Sequence, residues 1–429
     1  MSKKLIIAAA LLGSLAVLAF AGGQGEKSGA STGKKWAGKT ITAIFFSSTY
    51  ADMAKQYTKQ FEQQTGGKVQ FVTSPYATLH QKEGLALKSG SSEFDIMQVA
   101  SQWDGEFAPY VTNLAPYIKK SSFDSADIMK KAWDQSGIWN GKIMGIPESY
   151  TAYLMSYRTD LLPNGVPNTW AALFNEVKKY ENPAKSFYPF ATPCIKSQCN
   201  FLFLIPLWSL GGRWATKNWN VTIDSPQALQ ALRIAKQIIA YSNPAALSWG
   251  LPEADAEFLS GHAAIDLAWP TLGVTVNGNN PQKSKVVGKW ALADFPHEKT
   301  GITELSAWDV TIPKNAQNKQ MAWDWMQGFL SKKEMTKAFQ EYSILAPRKS
   351  FWASAALQNS PLALQGKANA IFWWRIPAGT QALGYIADAF SSYLTGQWSA
   401  QRALQSMKNG LMKALTDNPP APGILNLGR

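Results

Sequence analysis

The strictest constraint on this chain is an alternation of short apolar runs with stretches of helical period. Residues 41–46 are almost wholly apolar and long enough for one buried strand. A turn follows at Ser47-Ser48-Thr49-Tyr50, and then Met53, Tyr57 and Phe61 recur at four-residue spacing, the mark of one helix face. Gly66-Gly67 stops that helix, because glycine accepts the left-handed backbone that ends one. Residues 69–72 resume as a strand, residues 78–87 return to helical period, and residues 94–99 form a third strand. Parallel neighbours in a sheet need a crossover, and a helix supplies it. The predicted class is therefore α/β, with a largely parallel sheet covered by helices.

The pattern recurs later in the chain. Ser225-Pro226 places an N-cap and a first-turn proline before Leu229, Leu232, Ala235 and Ile239. Residues 263–268, 290–295 and 310–312 are further strand candidates. From residue 321 the chain turns mainly helical, over 321–330, 333–339, 381–394 and 400–415. No segment repeats at a fixed period, which argues against a solenoid or propeller. Gly211-Gly212 lacks the spacing of a phosphate-binding loop and reads as a turn.

At the amino terminus, Lys3 and Lys4 precede an apolar run over residues 5–20, and Ala19-Phe20-Ala21 offers the small residues of a cleavage site. The run falls short of the ~20 residues of a membrane-spanning helix. Residues 1–21 are predicted to be a cleaved export signal. Gly22 stands where a lipoprotein would carry its cysteine, which argues against a lipid anchor. Residues 22–35 are rich in Gly, Ser and Lys, cannot offset their ordering entropy by burial, and read as a flexible leader. Roughly 390 residues remain, enough for two cores rather than one. The formal net charge is +13, yet no run of Lys or Arg exceeds two. A scattered basic surface on an exported chain argues against a nucleic-acid partner.

Two cysteines, Cys194 and Cys199, admit two readings. In an oxidising compartment a short-loop structural disulfide is the natural one; zinc is the other, though no histidine lies nearby to complete a site. His80, His262 and His297 are isolated and read as surface or structural residues. Tryptophan is the other unusual feature, with 18 in the chain and several at predicted strand ends. A sugar ring lays its C–H face on an indole, and its hydroxyls need acceptors and donors such as Asp, Glu and Arg. Trp103 and Asp104 follow the third strand and fit that chemistry. Trp133, Trp139, Trp323 and Trp325 have helical or turn contexts and read as packing.

Short segments, taken in order, carry a family likeness. Phe61-Glu62-Gln63-Gln64-Thr65-Gly66 is similar to a helix end F-E-x-x-T-G, and Phe94-Asp95-Ile96 after Ser89-Gly90 to a strand carrying x-D-I. Trp103-Asp104-Gly105-Glu106-Phe107-Ala108 and Leu114-Ala115-Pro116-Tyr117 follow. Then come Gly141-Lys142 with Gly145-Ile146-Pro147, Tyr157-Arg158-Thr159-Asp160-Leu161, and Thr169-Trp170. Phe258-Leu259-Ser260-Gly261-His262-Ala263-Ala264-Ile265 closes the series. Each piece is weak alone, but together and in order they are specific. Over nearly all of its length after the leader, the chain resembles the extracellular solute-binding proteins of ABC importers, in the sugar-binding group that includes the maltose and trehalose receptors.

The resemblance implies a type II periplasmic-binding fold: two α/β lobes, each a mixed sheet flanked by helices, joined by strands that cross between them. By analogy the first lobe takes residues 36–148 and 304–347, and the second takes 149–303 and the helical 348–429. Crossings are expected near residues 148–152, 301–307 and 343–350. A periplasmic monomer is implied that captures a small carbohydrate by hinge closure and delivers it to a membrane permease. The resemblance implies no catalytic residue, cofactor or metal.

The ligand residues implied are Trp269 after the strand over 263–268, Trp308 and Asp309 at the return into the first lobe, and Trp373, Trp374 and Arg375 as a late aromatic platform. Arg348, after Ala346-Pro347, matches the placement of a family arginine. Thr49 in the first turn and Glu148 at the first crossing join Trp103 and Asp104 to complete the set. There are two departures: Ala100 and Thr151 stand where some trehalose/maltose-type receptors carry Asp, which leaves the identity of the sugar open. One rival reading is a secreted glycosidase, which needs two carboxylates across the scissile bond; no GxSxG, HExxH or P-loop motif appears for other chemistries. The second is a receptor of the same fold for a polyamine or another non-sugar solute, built on carboxylates and aromatic faces or on Arg and helix N-termini.

Overall fold

The computed structural model describes residues 34–270, 273–371 and 376–420. The predicted export signal and residues 22–33 of the leader lie outside them. The last two leader residues are described: Lys35 pairs with Asp324, and the Trp36 amide donates to the Thr65 carbonyl, so the chain is tied to the fold from this point. No helix among the described residues is long and apolar enough to cross a membrane.

Among the described residues twelve strands fall into three sheets: β1 (Thr40–Phe46), β2 (Lys68–Ser74), β3 (Ile96–Ala100), β4 (Ile138–Trp139), β5 (Lys142–Ile143), β6 (Ile146–Ala152), β7 (Met155–Arg158), β8 (Tyr188–Ala191), β9 (Ala263–Asp266), β10 (Trp290–Ala293), β11 (Ile302–Thr311) and β12 (Asn369–Ile371). In the larger sheet β1 pairs in parallel with both β2 and β3, as the alternation predicts. β11 then runs antiparallel to β3 and to β6, and β12 lies parallel to the start of β11. The second sheet has the order β10-β7-β9-β8, with only β8 and β9 parallel. β4 and β5 form a separate small hairpin. Both large sheets are mixed.

The first helix, Thr49–Thr65, buries Met53, Tyr57 and Phe61 against β1 and ends at Gly66, whose φ of 72° is the left-handed cap. Ser225 caps Pro226–Ala240 by accepting from the Ala228 amide at 3.2 Å. The helix Phe201–Ser209 is among those with no counterpart in the sequence periodicity. Phe201–Ser209 is buried on every side, so it shows no amphipathic period. It forms the centre of the second lobe.

Two large cores define the lobes. One gathers side chains from residues 41–154 and again from 305–370, and the other from 153–302 and from 376–414. β6 and β11 carry the first two crossings, paired from Leu305↔Ala152 to Val310↔Ile146. The third crossing differs from expectation. Residues 343–350 stay in the first lobe, because Ile344, Leu345 and Ala346 are buried in its core and the Tyr150 amide bonds the Leu345 carbonyl at 3.1 Å. Phe351, Leu357, Leu362 and Ala370 pack on the same core, so the stretch placed in the second lobe from residue 348 still belongs to the first. The chain leaves along β12, and Ile376 is already in the second core.

Candidate functional site

Paired hinge strands and two packed lobes leave a cleft between them, and it divides into two chambers. The inner one, of about 120 Å³, is lined from the first lobe by Phe46, Tyr50, Tyr76, Ala100 and Gln102, and from the second by Asn200, Phe201, Trp269 and Leu383. Thr151 on β6, with Glu304, Ser306 and Trp308 on β11, forms its hinge wall. The outer chamber, of about 1090 Å³, shares Phe46, Tyr76, Gln198 and Leu251 with the inner one. It opens between the amino end of the helix Thr49–Thr65 and the segment 277–285, and Asp52, Lys55, Lys283 and Lys285 are among its walls.

Strand ends explain why these residues meet. Phe46 ends β1, Ala100 ends β3, and Tyr76 lies two residues beyond β2, where the carboxyl ends of parallel strands leave room for a ligand. Trp308 stacks on Phe46 with centroids 5.3 Å apart and planes 3° from parallel, and meets Tyr76 and Trp103 edge-on. Trp269 lies on Tyr153 at 4.5 Å, and Tyr153 in turn meets Phe201 at 4.6 Å. Each indole is thus held by its own lobe, Trp308 by the first and Trp269 by the second.

The sequence-derived candidates divide on this geometry. Trp269 and Trp308 line the inner chamber and Thr49 lines the outer one. Ala100 and Thr151, noted for the carboxylates they lack, are both on the inner wall. Trp103, Asp104, Glu148, Asp309 and Arg348 line neither chamber. Trp103 is 2% exposed and sits behind the wall, against Tyr76 and His80, and Asp104 is fully buried at the start of a one-turn helix. Arg348 donates to the Asp124 and Leu330 carbonyls and to Asp127, binding first-lobe loops together. Trp373, Trp374 and Arg375 lie outside the described residues.

A β-bulge accounts for Glu148 and Asp309. Trp308 pairs with Ser149 while Asp309 pairs with Pro147, so Glu148 is the extra residue and its side chain is taken into the lobe. There Gln98 donates to its carboxyl group and also accepts from the Phe46 amide. Burial pushes the Glu148 carboxyl up to about 8, with the charge of Asp309 adding to the effect. Asp309 accepts from the Gly137 amide at 2.9 Å. A second acidic pair, Asp255 and Asp266, is buried beside the outer chamber, and desolvation and mutual repulsion raise Asp255 far above the carboxylate range. Among the described residues no group of three His, Cys, Asp or Glu side chains could hold a metal ion.

Several wall residues were absent from the sequence reading. Phe46 and Tyr76 were findable as residues at strand ends. Gln102, two residues beyond β3, was findable on the same ground, whereas Gln198, Asn200, Phe201 and Glu304 had no local signal. Cys194 and Cys199 form a disulfide immediately before Asn200. The lobes also touch directly: Thr380 Oγ1 lies 3.3 Å from His80 Nε2, and the Ser343 hydroxyl is 3.4 Å from the Thr275 carbonyl. His80 also contacts Glu106 at 2.8 Å, and Lys88 donates to the same carboxylate at 2.6 Å. Burial alone would raise Glu106, but these two partners bring it down to about 2.

Comparison with known proteins agrees with this architecture. The chain is 26% identical over 325 residues to the probable amino-acid ABC transporter periplasmic-binding protein y4oP of Sinorhizobium fredii, covering 73% of this chain and 74% of that one. Among solved structures, maltose-bound MalE3 of T. maritima superposes with a TM-score of 0.81 at 22% identity, covering 87% of this chain and 99% of that one. A solute-binding protein of Agrobacterium radiobacter K84 in complex with ribitol also gives 0.81 at 22% identity, over 89% and 100% of the two chains. These likenesses give the two-lobed type II fold. The model of the bacterial extracellular solute-binding protein family matches residues 47–336, and the chain belongs to that family, one of ABC-transporter receptors.

Proposed function

We propose that the protein is an exported periplasmic receptor that captures a small carbohydrate in the interlobe cleft, closes around it, and presents the closed form to an ABC permease. One observation carries the carbohydrate reading: an aromatic residue from each lobe, Trp308 and Trp269, lines a chamber whose other polar groups are amides and hydroxyls, with Glu304 its one carboxylate among the described residues. Such a lining suits a neutral ligand with apolar ring faces and many hydroxyls. The inner chamber is small beside the ~300–1,000 Å³ of ordinary ligand pockets. A ligand anchored there extends into the outer chamber or is a compact sugar or polyol. We propose Trp269, Trp308 and Thr49 as ligand contacts, together with the late platform Trp373, Trp374 and Arg375. The hinge comprises β6, β11 and β12, and lobe boundaries fall near residues 152, 303 and 371. The ligand bridges the lobes and stabilises the closed state by its differential contacts there.

Calorimetric titration with maltose, maltotriose, D-mannitol and ribitol tests this. At least one should bind, and Trp269→Ala should weaken it by ~2 kcal/mol or more, the scale of losing a buried aromatic anchor. Turnover of a maltooligosaccharide by the pure protein would overturn the receptor assignment. A second reading rests on Glu304 among aromatic rings, an arrangement that also suits an amine. Binding of spermidine with none of the four neutral compounds bound would decide for it.

A further inference from the structure

The loop between β8 and the helix Phe201–Ser209 enters the cleft without an explanation from the fold alone. It is closed by the Cys194–Cys199 disulfide, with both cysteines buried. The Cys194 and Ile195 amides both donate to the Trp249 carbonyl at 2.9 Å, and Gln198 Oε1 accepts from the Leu251 amide at 3.0 Å. A short covalent ring is thus pinned to the start of the helix Leu251–Leu259. From it Ser197, Gln198 and Asn200 reach the inner chamber, and Gln198 borders the outer one as well.

Asn200 is the residue that asks for a ligand. It is 5% exposed, lines the inner chamber, and its Oδ1 has no hydrogen-bond partner among the described residues. Asparagine just before a helix ordinarily caps it, yet Asn200 has a helical backbone (φ −59°, ψ −30°) and its side chain makes no capping bond. A buried amide oxygen without a partner is costly unless something that binds there supplies the donor. A carboxamide offers one acceptor and two donors from a single planar head, which matches the alternating demands of neighbouring sugar hydroxyls.

We propose that the Cys194–Cys199 loop is the specificity element of the cleft: the disulfide holds the loop so that the Asn200 carboxamide accepts from a hydroxyl of the bound carbohydrate, with Gln198 at the passage between the two chambers. This rests on the carbohydrate reading of the cleft. Opening the disulfide frees the loop to leave this geometry, so ligand affinity depends on the oxidised state. Asn200 acts by contact; the two cysteines are positioning residues.

The test titrates maltose, maltotriose, D-mannitol and ribitol by calorimetry into the wild type, Asn200→Ala, Trp269→Ala and the double variant Cys194→Ser/Cys199→Ser. Melting temperatures of the unliganded proteins are measured in parallel. The expected result is that Asn200→Ala weakens the tightest wild-type ligand about tenfold, the worth of one buried hydrogen bond, with its unliganded melting temperature unchanged or raised. The double variant, and the wild type treated with dithiothreitol, should lose affinity together and discriminate less among the four compounds. Dithiothreitol should not alter the double variant. Wild-type affinity and ranking in Asn200→Ala, with binding lost in Trp269→Ala, overturns the proposal and leaves the carbohydrate reading standing. Failure of all four compounds to bind the wild type overturns both. Should the double variant fold poorly, Asn200→Ala decides alone.

Discussion

At the scale of single residues, the hinge shows how one inserted position redirects chemistry. Without the bulge at Glu148, β6 and β11 would stay in simple register and the Glu148 carboxyl would alternate toward a different face. Its burial makes it a pH-dependent liability. The folded state holds a proton up to about pH 8, whereas an exposed glutamate releases it near 4.5. Raised acid pKa values cost stability as pH climbs, so the penalty grows between these two values and is constant above them. Glu148→Gln should therefore stabilise the fold at pH 8, on the order of a few kcal/mol at ~1.4 kcal/mol per tenfold change in proton affinity, seen as a higher melting temperature, and leave it unchanged at pH 4. Calorimetric scans of both proteins at the two pH values check this. The sequence placed Glu148 at a crossing, but no local pattern reveals a bulge, because its cause is the register of a partner strand more than 150 positions away.

At the scale of elements, closure depends on how tightly one short helix meets the other lobe. In the one-turn helix Asp104–Phe107, a Cβ on Gly105 would lie 2.7 Å from the Ile376 carbonyl of the second lobe and 2.7 Å from the ring of Trp139. Backbone cannot yield as a side-chain tip can, so Gly105→Ala should prop the lobes apart. Ligand affinity should drop at least about tenfold while each lobe keeps its circular dichroism. The disulfide loop offers a second prediction at this scale. Cys194 and Cys199 are five positions apart, a ring whose closure is worth about 2 kcal/mol in the chain-entropy relation. Reduction should lower stability to denaturant by that order, seen as a shifted urea midpoint at constant slope. Elements with a clear period were legible in the sequence, among them Thr49–Thr65, Pro226–Ala240 and Ala400–Asp417. Phe201–Ser209 was not, since a helix buried all round has no polar face to mark it.

At the scale of the whole molecule, two opposite titrations set the pH of greatest stability. Glu148, Glu83, Asp255 and Asp266 are all raised, chiefly by burial, and so favour acid. Glu106 is brought down to about 2 by His80 and Lys88, and its contribution is lost as pH falls toward that value. The melting temperature should peak near pH 5 and decline toward pH 8, which scanning calorimetry from pH 3 to 9 would reveal. A maximum above pH 7 would contradict these burial assignments. Closure is a property of the same scale. Small-angle scattering should show the radius of gyration decrease when a binding sugar is added, and no decrease in Gly105→Ala.

The sequence by itself determined the α/β class, the presence of two cores, the parallel run of β1, β2 and β3, and the likeness to solute-binding receptors. Those features rest on local period and on segments whose order survives in one dimension. It also brought Trp269 and Trp308 to notice, through the family likeness that places Trp269 after a strand and Trp308 at the return into the first lobe. Tertiary structure alone decided the rest. It set the third crossing at β12, since the apolar run 344–346 could serve either lobe and only packing assigns it to the first. It turned Glu148 and Asp309 inward and drew Arg348 into first-lobe loops, and it assembled the inner wall from nine separated stretches of chain. Which charged side chains face a cleft depends on register and lobe packing, and both are long-range.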